Sequence, residues 1–300
     1  MITEKYIRKK AAEHGFSAAY CCFPHEADGV SENVKSLVLL LRAYQPQNSL
    51  VDAFYQAKQA SYTAAAQMCL EISKETGVQT YGLSNHKLKP IATQRIGLVR
   101  GLNTLNYHPE FGSKFCMELI GFSDDIDHET MVGEKAALSC GSCARCMKAC
   151  PGGAITKDGF VKEKCIRFYM MNGKPIPEHL RQYIGAKDGS YAIIGCDICQ
   201  RVCPGNALQE EKRQQTDADA FTIEELLNCS PETRERFGNL YGHNYDIRNR
   251  IISQALLAAG NSGDEKYLPL IESYLQSKSA AVQEHAAWAV EKIKNLQNNY

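Results

Sequence analysis

Three hundred residues give room for about two domains of ordinary size, each with a full core. Apolar residues make up 44% and charged residues 23%, as in folded chains, and Lys plus Arg equals Asp plus Glu at 34 each. A net charge of zero argues against a protein that coats polyphosphate, and the longest clean apolar run, residues 37–41, falls far short of the roughly 20 residues that span a bilayer. Residues 1–10 carry no apolar stretch of the secretory kind, so the sequence predicts a cytoplasmic protein with no membrane partner.

In chain order, Thr3 is placed to cap a helix that runs to His14, with Gly15 as its stop. Residues 16–23 and 36–41 read as strands, the second buried, and residues 51–76 as a long helix ending before Gly77. A strand at 78–84 and a short helix at 88–96 follow. The alternation predicts an α/β or α+β domain over roughly residues 1–125. It contains neither G-x-G-x-x-G after a strand nor G-x4-G-K-[ST], so neither a dinucleotide site nor a P-loop is indicated. The acidic residues 122–129 read as a solvated linker.

Thirteen cysteines are the compositional outlier, and eight of them fall between Cys140 and Cys203. Thiols in a reducing compartment do not form disulfide frameworks, so such a cluster points to metal. The first group, Cys140, Cys143, Cys146 and Cys150 followed by Pro151, is C-x2-C-x2-C-x3-C-P, the bacterial ferredoxin run whose fourth cysteine serves the other cluster. The second, Cys196, Cys199 and Cys203 followed by Pro204, is the same run less one cysteine, which Cys165 supplies. The crossed rule gives two complete sets: Cys140, Cys143, Cys146 with Cys203, and Cys150, Cys165, Cys196 with Cys199. Two zinc sites of four thiolates are the competing assignment, but zinc ribbons do not use C-x3-C-P. Two 4Fe–4S clusters pass single electrons in series, and an external low-potential donor is implied. The chain around them is too long for a bare ferredoxin. Cys21, Cys22, Cys69, Cys116 and Cys229 read as small buried hydrophobes.

Residues 210–219 read as a polar connector. Beyond them, helices at 248–259, 265–276 and 280–294, broken at 260–264 and 277–279, give the pattern of an α-solenoid, with Trp288 as a packing residue. Arg234, Arg236, Arg248, Arg250, Lys292 and Lys294 read either as a solvated face or as a local basic patch.

This order of parts resembles the epoxyqueuosine reductase family: an α/β domain, the eight cysteines in this spacing, then a repeat containing Gly260-Asn261-Ser262-Gly263-Asp264 and Glu284-His285-Ala286-Ala287-Trp288-Ala289. The segments Gly101-Leu102-Asn103-Thr104-Leu105 and Pro109-Glu110-Phe111-Gly112-Ser113 resemble the family as well. The resemblance implies an α+β fold with a nitroreductase-like N-terminal α/β domain over residues 1–128, a ferredoxin-like double 4Fe–4S domain over 129–215 and a HEAT-like helical tail over 216–300. It implies a base-off cobalamin that receives electrons from the clusters and reduces an epoxide at the wobble nucleoside, the tail gripping the tRNA anticodon arm. Cofactor contacts would fall on Asn103, Thr104, Arg167 and Asp197.

The sequence departs from the family on the cofactor and substrate side. Where the family carries its proton-donor aspartate, residues 80–86 offer no carboxylate. Reductive opening of an epoxide needs a proton on the leaving oxygen, which makes Tyr81 and His86 the catalytic candidates, His86 the better one because imidazole titrates near neutral pH. Arg167 stands where the family has Ser, and Gly205 where it has Trp after the last Cys-Pro. The arginine-containing loop that precedes the family's long helix is short or missing around residues 45–52. Three functions compete at this level: an epoxyqueuosine reductase, a divergent paralogue acting on another substrate or corrinoid, and a non-enzymatic electron-transfer protein.

Overall fold

A computed structural model describes residues 2–22, 29–83, 85–94, 96–127, 140, 142–186, 189–215 and 220–297. The chain divides into two compact units, Met1–Gln45 with Ala57–Cys143, and Pro46–Gln56 with Ala144–Tyr300.

The first unit is built on a four-stranded sheet of β1 (Ala18–Cys22), β2 (Ser36–Ala43), β3 (Thr80–Gly82) and β4 (Phe115–Phe122), in the order β1-β2-β4-β3. Every pairing is antiparallel, so the unit is α+β in character. The apolar run in β2 exists because helices and loops cover both faces of the sheet. Val38 and Leu40 enter a core with Ile7, Met68 and Ile72, whereas Leu37, Leu39 and Leu41 face Ile91, Ile96, Leu98 and Leu119. All five of these β2 side chains have zero exposure, and burying each contributes at most about 1.5–3 kcal/mol.

Helix α1 (Glu4–Glu13) is capped as its sequence predicts: Tyr6 N–H donates to Thr3 Oγ1 at 3.3 Å, and Gly15 turns the chain away at φ +77. The long helix α2 spans Ala53–Thr76 and the short α3 Leu88–Gln94. The strands read at 16–23 and 78–84 are shorter than expected, and Phe23 and Ser84 lie outside the described residues. The acidic stretch is more than a linker. Ile126–Asp127 pairs in parallel with Ile2–Thr3, Ile126 is buried, and its N–H donates to Ser36 Oγ at 2.9 Å. His128 and Glu129 lie outside the described residues.

The second unit is helical apart from short pairings. In order come α4 (Arg145–Ala149), α5 (Ile166–Asn172), α6 (Glu178–Arg181), α7 (Ile198–Arg201) and α8 (Ala207–Glu211). Then follow α9 (Ile223–Asn228), α10 (Pro231–Tyr241), α11 (Arg248–Ser262), α12 (Leu268–Glu272) and α13 (Ala280–Gln297). A capping box at Thr222 and Glu225 starts α9, and Ser230 with Pro231 starts α10.

Two expectations for this region are corrected. Helix α11 does not break at Gly260. It runs to Ser262 and stops at Gly263, which takes φ +70. Gly260 is a close-approach position, since a Cβ there would stand 2.9 Å from Ala289 Cα and from the Trp288 ring. Residues 210–215 are not a loose connector either: Gln214–Gln215 pairs in parallel with Gln47–Asn48. Arg213 reinforces that pairing, donating to Gln47 O at 3.1 Å and Asn48 Oδ1 at 3.2 Å. Residues 216–219 lie outside the described residues.

Helices α11 and α13 are bolted to the segment after Cys165 by buried side chains. Ile176 N–H donates to His285 Nε2 at 2.9 Å, and His285 Nδ1 donates to Ser253 O at 2.8 Å. Gln254 Nε2 donates to Met170 O at 2.7 Å, and Asn261 Nδ2 donates to Arg181 O and Ile184 O. Burial lowers the His285 imidazole to about 4, so the ring is neutral and one nitrogen is free to accept. Trp288 packs against this core, as its sequence reading predicts. Among the described residues no helix is long and apolar enough to cross a membrane.

Candidate iron–sulfur and cofactor site

The second unit brings four of the cysteines of the motif region into one electrostatic neighbourhood. Cys150 follows α4, Cys165 precedes α5, and Cys196 and Cys199 flank the start of α7, which packs against α4. The Cys196 thiol is pushed well above its ordinary value by burial first, and then by Cys199, with Cys165 adding to it. Burial likewise raises Cys165, and Cys150 contributes. Thiols raised in this way stay protonated until a metal takes the proton's place.

The backbone meanwhile prepares the sulfurs for negative charge. Ala154 N–H donates to Cys150 Sγ at 3.3 Å. The nearby backbone N–H groups of Arg167 and Phe168 oppose the rise at Cys165, and that of Ile198 opposes it at Cys196. In the first unit, Leu102 N–H donates to Cys140 Sγ at 3.2 Å. Amide donors to thiolate sulfur are a principal means by which proteins stabilise iron–sulfur clusters. Among the described residues no three His, Cys, Asp or Glu side chains converge on a single ion. The ferredoxin spacing of the eight cysteines, with amide donors on Cys140 and Cys150, fits two cubane clusters.

Two glycines let the cysteine loops close. A Cβ on Gly152 would stand 1.9 Å from Lys164 O, one residue before Cys165. A Cβ on Gly195 would stand 2.5 Å from Asp52 Cβ and 2.9 Å from the Tyr55 ring, and this residue takes φ +98.

The residues assigned to a cofactor by resemblance have separate surroundings. Asn103 is buried, its Nδ2 donating to Tyr107 Oη at 2.9 Å and its Oδ1 accepting from Leu105 N–H at 3.3 Å. Thr104 lies beside it at φ +62. Both belong to the turn that reaches Cys140. Asp197 is held by two guanidinium groups, Arg201 Nε at 3.1 Å and Arg213 Nη2 at 2.5 Å, and so acts as a structural hub next to Cys196. Arg167 donates from Nε to Tyr55 Oη at 3.1 Å and lies over the Phe54 and Tyr55 rings at 5.5 and 5.7 Å. Its residue is exposed, and its Nη atoms have no partner among the described residues. Arg167 thus keeps guanidinium donors open to a bound group.

His86 is half-buried, with Nδ1 3.2 Å from Leu83 O, an arrangement that puts a proton on Nδ1 and leaves Nε2 for exchange. Tyr81 is partly buried against the sheet core. Tyr55, Tyr107, Arg213 and the Leu102 amide were not singled out from sequence. Only the glycines beside Cys150 and Cys196 carried a local signal.

Three of the six tail cations are paired with carboxylates. Arg234 pairs with Asp246 at 3.4 Å, Arg236 with Glu225 at 2.9 Å and Lys294 with Glu272 at 3.6 Å. Of the scattered cysteines, Cys22, Cys69, Cys116 and Cys229 are buried and Cys21 is half-buried.

Eight cysteines in ferredoxin order, with amide donors on the Cys140 and Cys150 sulfurs, define a double-cluster iron–sulfur protein, and residues 139–206 match the family of 4Fe-4S double cluster binding domains. Among curated proteins the chain is 32% identical over 197 residues to epoxyqueuosine reductase of Bacillus subtilis, covering 62% of this chain and 47% of the relative. It is 30% identical over 203 residues to that of Lactococcus garvieae, covering 65% and 55%. The structure of epoxyqueuosine reductase from Streptococcus thermophilus superposes with a TM-score of 0.76 at 17% identity, over 98% of this chain and 91% of that one. An epoxyqueuosine reductase crystallised with an epoxyqueuosine-modified tRNA stem loop gives 0.70 at 20% identity, over 97% and 90%. The chain is thus similar in sequence to epoxyqueuosine reductases over about two thirds of its own length and shares their fold, and it spans about half the length of the curated relatives it matches.

Proposed function

We propose that the protein is an epoxyqueuosine reductase of divergent type, passing electrons through two 4Fe–4S clusters to reduce epoxyqueuosine in tRNA to queuosine. The observation that carries this reading is the complete double-cluster cysteine set, lying within a fold like that of the reductases over nearly the whole chain. The proposed ligand sets are Cys140, Cys143, Cys146 with Cys203, and Cys150, Cys165, Cys196 with Cys199. The mutual influence of the second four thiols supports that set. The first unit is read as nitroreductase-like and the tail as HEAT-like, with parts at 1–128, 129–215 and 216–300. A cytoplasmic location suits reduced thiols, and an external low-potential donor supplies the electrons.

Loss of the epoxide oxygen as water takes two electrons and two protons. Cobalamin, when bound, supplies the strongly reducing cobalt centre. Arg167 is the residue here with donors for its polar rim. Asn103, with Tyr107, orders the turn at Cys140. His86 carries the transferable proton at Nε2, its Nδ1–H being held by Leu83 O. The tRNA anticodon arm is the proposed partner.

The test is anaerobic turnover. Protein reconstituted with iron, sulfide and cobalamin is given an epoxyqueuosine-modified stem loop and dithionite with methyl viologen, and the nucleosides are analysed. Queuosine formation, much slower in His86→Ala at unchanged cobalamin binding, supports the reading. Clusters and cobalamin without product favour the paralogue, as does the missing carboxylate at residues 80–86. Clusters without cobalamin favour the electron-transfer protein.

A further inference from the structure

The turn Gly101–Leu105 carries more structure than a short hairpin needs. It joins Val99–Arg100 to Asn106–Tyr107, two antiparallel residue pairs. Inside it, Gly101 N–H donates to Leu105 O at 2.9 Å and Thr104 N–H to Gly101 O at 2.9 Å. The buried Asn103 amide closes it from within, accepting from Leu105 N–H and donating to Tyr107 Oη. The N–H groups of Gly101, Thr104 and Leu105 are therefore used inside the turn. That of Leu102 points outward, to Cys140 Sγ at 3.2 Å.

Holding this shape has a cost. Thr104 sits at φ +62, a left-handed conformation that a β-branched residue strongly disfavours. Gly101 is hemmed in, since a Cβ there would stand 2.8 Å from both Asn103 Oδ1 and the Tyr107 ring. Strain of this kind persists only where the surroundings over-determine it, and it collects at functional positions. The hairpin could reverse with an unstrained residue at 104. What the observed shape secures is the direction of one amide.

We propose that the Gly101–Leu105 turn is a potential-setting device for the cluster that Cys140 ligates, with Asn103 and Tyr107 as positioning residues that aim the Leu102 N–H at the Cys140 sulfur. This rests on the iron–sulfur reading and reassigns Asn103 from a cofactor contact to a residue acting through the Leu102 amide. A reduced cluster carries one more negative charge than an oxidised one, and part of it resides on the thiolate sulfurs. A donor on such a sulfur stabilises the reduced form more, and so raises the reduction potential. The turn makes its cluster easier to reduce than it would be without the donor.

The test is an EPR-monitored redox titration of the anaerobically purified, cluster-loaded protein, which reads each cluster without substrate. Asn103→Ala should lower the reduced-to-oxidised ratio of one cluster about tenfold at fixed potential, equal to about 59 mV for a one-electron couple, and leave the other in place. Tyr107→Phe, which removes a single hydroxyl, should shift the same cluster in the same direction by less, and it decides the matter if Asn103→Ala fails to fold. Thr104→Gly should leave both potentials unchanged, because glycine takes positive φ without strain and keeps every amide. Wild-type potentials for both clusters in Asn103→Ala and Tyr107→Phe would overturn the inference while leaving the iron–sulfur reading intact. A wild-type protein without iron would overturn that reading and the inference with it.

Discussion

His285 is the most exacting place to perturb this structure, because one ring holds two segments together only while it is neutral. Its Nε2 accepts from Ile176 N–H at 2.9 Å and its Nδ1 donates to Ser253 O at 2.8 Å, with zero exposure of the residue. Protonation at Nε2 would replace that hydrogen bond with two donors facing each other. Burial therefore lowers the folded pKa from 6.5 to about 4. A base depressed in the folded state gives stability that is fully present above its unfolded pKa and is lost as pH falls through the window between the two values. The whole window amounts to about 3 kcal/mol at about 1.36 kcal/mol per unit. Between pH 7 and pH 5 the loss is about 2 kcal/mol, or about twentyfold in an opening equilibrium. Hydrogen exchange of the Ile176 amide reads this locally, without unfolding the clusters. Its protection, corrected for the intrinsic exchange rate, should fall about twentyfold from pH 7 to pH 5. In His285→Gln that fall should disappear. Equal pH dependence in the two proteins would refute the reasoning, as would an imidazole seen by NMR to titrate near 6.5.

Other consequences can be checked on the same protein. Gly152→Ala places a Cβ against the Lys164 carbonyl, so the Cys165 loop must move and about half the bound iron should be lost. Unchanged iron content would show that the loop yields at no cost. Cys165→Ala and Cys143→Ala should each abolish the signal of a different cluster, leaving about four iron atoms per chain. Either variant retaining both clusters contradicts the ligand sets. Arg213→Ala leaves Asp197 and Glu210 without a cation that stands 2.5 and 2.7 Å away and unpins residues 47–48. Stability should fall by about 3 kcal/mol, or about 10 °C in melting temperature, as read by the loss of cluster absorbance on heating. A shift of under about 2 °C would mean the ionic hub is solvated and dispensable.

Much of this was legible from the sequence where a residue pattern has one physical solution. The spacing of Cys140, Cys143, Cys146 and Cys150, completed by Cys165, identified the cluster chemistry because no other common site uses C-x3-C-P. The unbroken apolar residues 37–41 announced a strand covered on both faces, and Thr3 and Gly15 marked both ends of α1. Long-range polar contacts were not legible. Arg213 looks like any surface arginine until Gln47 and Asp197 are seen beside it, and nothing local marks Asn103 as the core of a turn aimed at Cys140. Gly260 misled because glycine within a helix reads as a stop, whereas here it admits Trp288 and Ala289 from α13. Asp197 and Asn103 came from resemblance alone, which transfers residue identities without the partners that fix their roles.

The most direct test of the central claim is the iron and acid-labile sulfide content of the anaerobically purified protein, with EPR of the dithionite-reduced sample. About eight iron and eight sulfide per chain, with the signals of two interacting reduced cubanes, is the predicted result. Two zinc ions without sulfide, or a single cluster, would contradict it.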